Sequence, residues 1–283
     1  MAHQQAQASA LMPSVEARAL APKPSLWLSV GTLWLREIRS FYRQRSRVIG
    51  GLATPLVFWI LLGSGFGSSL LTQTGTGGYL QFFYPGSVTL VVLFTSLFAN
   101  ISVIEDRREG FLLSVLVAPV SSRALVLGKV LGATTIGFLQ GLIFLPLAPL
   151  AGISVELSRL PAIFAAIFLM AFTLTSVGFF FAWWLNSVQG FHSVMNVVLM
   201  PMWMLSGAVF PPEGASAWVR AVMAANPLTY GVSALRHLLH DGDTLAGIPS
   251  LEFCWLMLSA FAVLALGAAL YRASVRSAND LSS

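Results

Sequence analysis

FFYPGSVTLVVLFTSLFANISVI, residues 82–104, is an unbroken apolar run that ends abruptly at EDRREGFLLSVLVAPVSSRALVLGK, residues 105–129. The first stretch is long enough to cross about 30 Å of hydrocarbon as a helix, which takes about 20 mostly apolar residues. The second opens with an acidic and basic cluster, continues through Gly110 and a short apolar turn, stops at Pro119 and returns to apolar sequence. It stands in a chain of 283 residues that is 56% hydrophobic and 10% charged, whereas soluble domains carry about a quarter charged residues. The two stretches together read as a membrane crossing followed by a charged loop and a second crossing.

Working outward, comparable apolar runs occupy residues 48–66, 125–152, 161–185, 192–210 and 253–271. Backbone polar groups in lipid need internal partners, so each run should be helical, and the absence of two-residue alternation excludes a transmembrane β-barrel. The expected fold class is an all-α membrane protein with six transmembrane helices. An N-terminal cytoplasmic interfacial helix should precede them, and short external re-entrant helices should lie between the fifth and sixth. The segmentation this implies is a disordered cytoplasmic tail at 1–24, carrying Pro13, Pro22 and Pro24, and an amphipathic interfacial helix at 25–47. A six-span domain at 48–272 follows, with a cytoplasmic loop at 105–124 and an external segment at 210–252, and a cytoplasmic tail at 273–283 ends the chain.

Charge sets the expected orientation. With both ends inside, the inner side holds Arg18, Lys23, Arg36, Arg39, Arg43, Arg45, Arg47, Arg107, Arg108, Arg123, Lys129, Arg272 and Arg276, leaving Arg159, Arg220 and Arg236 outside. Lys and Arg concentrate on cytoplasmic loops, so the net charge of +5 reports topology rather than binding of nucleic acid. Residues 25–47 place Trp27, Val30, Trp34, Ile38 and Phe41 on one helical face and Ser29, Thr32, Arg36, Arg39, Arg43 and Arg47 on the other, the pattern of a helix lying in the membrane interface among lipid. Residues 67–81 read as an uncharged flexible connector. Tyr84, Pro85 and Gly86 predict a kink or local unwinding. Gly128 with Gly132 and Gly137 with Gly141 permit close helix approach, while Pro146 and Pro149 are expected to bend or end their helix and Pro201 to kink its own. The segment 210–252 is too polar to span and too apolar to be a free loop.

The inventory of reactive groups argues against an enzyme. The four histidines are His3, His192, His237 and His240; the last two, followed by Asp241 and Asp243, would need a further fixed ligand to hold a catalytic metal. Cys254 stands alone, so no intramolecular disulfide forms. No HExxH or GxSxG motif occurs, and no ionisable residue stands near the middle of a crossing as ion-coupled carriers require. Lys129, about one turn inside its run, reads as an anchor that snorkels to the surface. No GxxxxGK[ST] phosphate loop is present, so energy for transport would come from a separate ATPase.

The string at 105–129 resembles the loop after the second span in permeases of type 2 ATP-binding cassette exporters. LSGAVFPPEGASAW followed by NPLTYGVSALRHLL is similar to that family's external signature, through Ser206, Gly207, Phe210, Pro211, Trp218, Asn226, Pro227, Leu228, Thr229, Tyr230 and Arg236. Tyr84, Pro85 and Gly86 add a third match, and the resemblance covers residues 27–272. It implies a homodimer, or a pair of related permeases, in the bacterial inner membrane, each docked on an ABC ATP-binding subunit. ATP and Mg would sit on that partner, with no cofactor on this chain. Carried over by position, ATPase-coupling contacts fall on Glu105, Arg107, Arg108, Glu109, Phe111, Leu112 and Leu116, with Trp34, Arg36 and Arg39 behind them. Phe210, Pro211, Trp218, Asn226, Pro227, Tyr230 and Arg236 would form an external gate. The run Phe111, Leu112, Leu113, Ser114 departs from relatives that carry a charged or polar residue there, implying a more apolar docking groove. The resemblance implies export of an amphipathic or lipid-linked compound. The alternatives are a polysaccharide or glycolipid exporter, a membrane anchor for an ATPase that does not itself transport, and a metal enzyme built on His237 and His240.

Overall fold

The computed structural model describes residues 25–65, 78–110, 121–240 and 247–280. Among the described residues there are nine α-helices and no strand. They are α1 (Leu26–Arg43), α2 (Arg45–Gly65), α3 (Gly78–Arg108), α4 (Ser122–Phe144), α5 (Leu160–Trp184), α6 (Val188–Trp203), α7 (Ala217–Ala225), α8 (Pro227–Leu239) and α9 (Leu251–Asp280). The expected tail at 1–24 and most of the connector at 67–81 lie outside the described residues. The same holds for Phe111, Leu112 and Leu116. The last helix runs through most of the segment expected as a C-terminal tail.

Among the described residues five helical stretches are long and apolar enough to cross a membrane: Arg45–Gly65, Gly78–Arg108, Ser122–Ala151, Leu157–Trp184 and Leu251–Ser274. The run at 192–210 falls on α6, whose regular part has 16 residues, about 24 Å at 1.5 Å per residue. Pro201 withdraws one backbone donor there, and the chain passes into a π-helical turn, Met204–Ala208, in which Leu205 has φ −88° and ψ 18° and Gly207 has φ 80°. Helical geometry ends where a left-handed residue is required, which glycine supplies without strain.

The bundle is built around α3. Its apolar stretch is 83% buried within the chain, against 22% for α2 and for α9. The expected unwinding at Tyr84, Pro85 and Gly86 does not occur, since α3 runs unbroken across them. Tyr84 instead repairs a neighbour. Its hydroxyl donates to the carbonyls of Phe144 (2.8 Å) and Leu145 (3.0 Å) at the end of α4, where Pro149 has no N–H to offer Leu145. At Pro146 and Pro149 the regular α4 gives way to a 3₁₀ segment, Leu145–Ala151, so the α-helix ends there.

Small residues set the helix spacings. In α2 the buried positions are Gly51, Pro55, Trp59 and Gly63, one every four residues, which makes a single stripe that faces α3. In α4 the two glycine pairs serve different neighbours. A Cβ on Gly128 would meet the Leu33 side chain at 2.6 Å, and one on Gly132 would meet Glu37 Cβ at 2.7 Å, so this pair admits α1. Gly137 and Gly141 lie against Ser96, Val92 and Ile167 of α3 and α5. Buried polar groups bridge the same helices. Thr95 donates to Gln140 Oε1 at 2.6 Å, and the Asn100 amide donates to the Ser96 and Thr175 carbonyls at 2.7 and 3.3 Å.

The close approach of α1 to α4 predicts a specific sensitivity. Gly132→Leu overpacks that contact and should cost about 1–3 kcal/mol, read as a lowered thermal midpoint in detergent. Gly31→Ala, inside the same helix at a position with open space around it, should not lower the midpoint and should raise it slightly, since Ala favours a helix over Gly by about 0.5–1 kcal/mol.

Candidate functional site: a charged node at one end of α3

Successive residues on a helix point about 100° apart, so three consecutive side chains at a helix end can reach three different neighbours. Glu105, Asp106 and Arg107 do this. Glu105 pairs with Arg47 at the start of α2. Arg107 donates to the Trp183 carbonyl (2.7 Å) and also to Ala182 and Leu185, at the C-terminal end of α5. Those carbonyls have no partner within their own helix and carry the negative end of its dipole. Asp106 receives both arms of Arg36 from α1, at 2.6 and 2.7 Å, a bidentate arrangement that fixes orientation as well as distance.

Lys129 of α4 closes the cluster. Its ammonium donates to Asp106 Oδ2 at 2.5 Å, Glu37 Oε1 at 2.7 Å and Ser102 Oγ at 3.3 Å, and Ser102 passes its own proton to Glu37 Oε2 at 2.5 Å. The Lys129 side chain is 1% exposed, Glu37 4% and Asp106 7%, while Arg36 is 37% exposed. Lys129 is therefore not a snorkelling anchor. Gly128 and Gly132 let α1 lie directly over it, and its four-carbon stem brings the charge to two carboxylates rather than to water. Two cations and two anions balance, and all three ammonium protons are used. Removing ions from water costs several kcal/mol each, offset only when every charge is paired and hydrogen-bonded. The hydrogen bond to Asp106 raises the Arg36 pKa above its ordinary value despite burial, so Arg36 remains a cation.

Beyond the node, α3 ends at Arg108, and two residues on Gly110 takes a φ of 74°, the left-handed conformation that follows a helix stop. Arg108 and Glu109 are exposed. The chain re-enters at Ser121, whose hydroxyl caps α4 by accepting from Ala124 N–H at 3.2 Å. Of the residues expected at this end, Glu105, Arg107 and Arg36 are engaged within the chain, and Trp34 donates its indole N–H to Thr135 at 3.0 Å. Arg39 is exposed on an open cleft of about 750 Å³ that it lines with Thr32, Leu35, Arg36, Ser40 and Arg43. Trp27, placed by periodicity on the face of Val30 and Phe41, is 71% exposed; the buried face runs through Val30, Leu33, Glu37 and Phe41.

At the other end of α3, about 36 Å away counting from Phe82 to Asp106 at 1.5 Å per residue, side chains hold the broken end of α6. Asn226 donates to the Met202 carbonyl at 2.5 Å, Arg236 to Gly207 at 3.0 Å, and the Tyr79 hydroxyl to Val209 at 2.9 Å. Arg236 also reaches the Phe82 carbonyl at 3.3 Å and lies 4.2 Å from the centre of the Phe82 ring. A Cβ on Gly86 would meet Ala208 Cβ at 2.6 Å, so α3 and the π turn touch almost backbone to backbone. Asn226 caps α8, with Pro227 at its first position, and Tyr230 donates to Ala224 at 2.6 Å. Phe210 and Pro211 are half-buried, and Trp218 is exposed and apart from this clamp. The structure brings Asn226, Arg236 and Gly207 together; Trp218 is not among them.

His237 Nε2 lies 2.9 Å from the Pro249 carbonyl and His240 Nδ1 lies 3.2 Å from that of Arg236. Among the described residues no three His, Cys, Asp or Glu side chains gather as a metal site would require.

Sequence reasoning missed Glu37, Asp106 and Ser102, and misread Lys129. A signal existed. Glu37 lies four residues from both Leu33 and Phe41, on the face that packs, and an acid there needs a buried cation. Lys129 is the cation set inside an apolar run.

The fold is thus that of a multi-pass helical membrane protein with ionic contacts gathered at one end and a broken helix pinned at the other. Residues 29–240 match the model of the ABC-2 type transporter family, and the chain belongs to that family. It is 28% identical over 206 residues to a putative transport permease, ycf38, of Cyanophora paradoxa, covering 72% of this chain and 71% of that one. It is 25% identical over 217 residues to the daunorubicin resistance ABC transporter permease protein DrrB1 of Streptomyces coeruleorubidus, covering 74% and 73%. To the inner membrane transport permease YadH of Escherichia coli K12 it is 25% identical over 219 residues, covering 75% and 82%. Family membership makes it a permease of an ABC transporter, whose partner is an ATP-binding subunit.

The ionic balance of the node predicts asymmetric mutational costs. Lys129→Met alone takes the ammonium from between two buried carboxylates, leaving Asp106 to Arg36 and Glu37 with only Ser102 and a 3.4 Å contact to Arg36, and should cost about 3–5 kcal/mol. Combining it with Glu37→Gln and Asp106→Asn should recover most of that loss, as read by thermal unfolding of the purified protein.

Proposed function

We propose that this chain is the permease subunit of an exporter that moves an amphipathic or lipid-linked compound to the outer leaflet, driven by ATP bound with Mg on a separate subunit. In this reading there are six crossings, with α6 and its π turn together completing the fifth, and both termini are cytoplasmic. The distribution of Lys and Arg supports that orientation. It places the node at the inner surface, α1 in the interface, and α7 and α8 as short helices returning into the outer leaflet. Two copies, or two related permeases, would pair in the bacterial inner membrane.

The observation that carries the reading is the exit of the chain from the node. Arg108 and Glu109 stand exposed where α3 ends, within the segment that resembles the family's coupling loop. Arg108 and Glu109, with Phe111, Leu112 and Leu116 beyond them, are the proposed contacts to the ATPase, and Arg39 on its basic cleft supports them. Glu105, Arg107, Arg36 and Trp34 act behind that surface by holding it to the bundle. The proposed external gate is the clamp of Asn226 and Arg236 on the broken end of α6, flanked by Phe210, Pro211, Pro227 and Tyr230, with Trp218 at the surface. The named action of the DrrB1 relative supports a small amphipathic cargo. So does an open groove of about 490 Å³ between α5 and α9, lined by Phe168, Phe172, Val263 and Leu266 among others, which is almost wholly apolar and suits a hydrocarbon or aromatic group better than a glycan.

Two measurements check this. In a Cys254→Ala background, Arg108→Cys should react with an impermeant thiol reagent only from the inner side of oriented vesicles, and Trp218→Cys only from the outer side; the reverse pattern overturns the orientation. In vesicles containing the chain and its ATP-binding subunit, with daunorubicin as the probe, Arg108→Ala combined with Glu109→Ala should lower ATP-dependent movement at least tenfold. ATP-independent movement, or full activity of the double variant, overturns the coupling assignment.

A further inference from the structure

We propose that Glu37, Asp106 and Lys129 are positioning residues for energy coupling. They make the end of α3 carry α1, α4 and α5 with it as one body when the segment following Arg108 is displaced. This rests on the reading above, that a partner subunit acts on that segment.

The inference starts from the difference between apolar and ionic contacts. Apolar side chains packed between helices are non-directional, so neighbouring helices can slide past one another in small steps. A bidentate guanidinium–carboxylate pair and an ammonium with every proton committed allow one arrangement. Lys129 holds Glu37, Asp106 and Ser102 at 2.7, 2.5 and 3.3 Å, and a shift of α1 against α3 or α4 would leave a buried charge unpaired. The helices therefore move together or not at all. Arg107 extends the same body to the end of α5 through its carbonyls, and Glu105 extends it to α2 through Arg47.

Location separates this role from general stabilisation. A buried ionic cluster is weak evidence for stability, because apolar residues of similar volume often replace one without loss. Here the charges are gathered within one turn of the point where α3 stops, and not at the middle of the bundle, where Thr95, Gln140, Asn100 and Thr175 hold the helices with neutral hydrogen bonds. The ionic contacts are placed where displacement would enter, and from there they fan out to four helices. Glu37 and Lys129 touch no surface at which a partner could bind, so their part is to direct motion rather than to receive it.

The experiment uses the full permease assembled with its ATP-binding subunits in nanodiscs, in a Cys254→Ala background. Spin labels go on Leu28→Cys of α1 and Trp184→Cys of α5, both exposed. Distances are compared between the nucleotide-free complex and the complex trapped with ATP, Mg and vanadate. In the otherwise native chain the intrachain distance distribution should stay narrow in both states, while distances between the two permeases change. In the Glu37→Gln, Asp106→Asn, Lys129→Met variant, ATP hydrolysis and trapping should persist, and the trapped intrachain distribution should broaden to at least twice its native width. The charge-balanced pair Arg36→Gln with Asp106→Asn, which keeps Lys129 with Glu37, should show the same broadening, and Lys129→Arg in the otherwise native chain should keep the distribution narrow. A distribution unchanged in both neutralised variants overturns the proposal, as does failure of both to fold, which would make the cluster a requirement of the fold. If trapping alters no distance in the native complex, the permease reading itself has failed, and that outcome is distinct from the others.

Discussion

A single ammonium group placed between two carboxylates constrains much of this molecule. Lys129 is inside the bundle because Gly128 and Gly132 let α1 cover it, and α1 lies at that depth because Glu37 must reach Lys129. Neither requirement is met without the other. Asp106 then fixes where α3 ends, and through Glu105 and Arg107 its neighbours in sequence set the ends of α2 and α5. A chain with so few charges spends several of them at one junction, which locates the part of the bundle where geometry is most tightly specified.

The opposite end of α3 solves a different problem. There the difficulty is not charge but backbone: α6 stops short, and its last carbonyls need partners in a place where water is scarce. Asn226, Arg236, Tyr79 and Ser206 supply them, and Trp203 returns the bond by donating to the Gly86 carbonyl at 2.9 Å. Unwound backbone at membrane depth is tolerated only where protein surrounds it, and α3, α7 and α8 provide that enclosure. The same helix thus ends in an ionic junction at one extreme and in a set of neutral and aromatic contacts at the other, with neutral hydrogen bonds between.

Much of the architecture was legible in the sequence because the membrane reduces the possibilities. Apolar runs became helices, glycine pairs became close contacts, and Pro146 with Pro149 fell where the α-helix gives way to a 3₁₀ segment. Departures came where a single residue is overruled by its neighbours. Pro85 sits in an unbroken helix whose residues on either side are buried, and the run at 192–210 yields only a short regular helix because Pro201 and Gly207 interrupt it. Charge at the node was readable as a cluster along the chain, but not as a cluster in space. Glu37, Asp106 and Lys129 come from three separate segments, and periodicity can say that Glu37 faces inward without saying which cation meets it. The face of α1 read as polar included Ser29, which is buried beside Val30 and Leu33.

That separation along the chain has a consequence for biosynthesis. Glu37 and Lys129 are 92 residues apart, so at about 5–20 residues per second the acid leaves the ribosome about 5–20 s before its cation. Over that interval two crossings are made and Asp106 appears, adding a second acid to a site that lacks its ammonium. The junction can close only when α4 arrives, and α1 has no settled place until then. Helix α1 is therefore without its ionic partner while α2, α3 and the start of α4 are laid down, and the arrival of Lys129 lets the junction close.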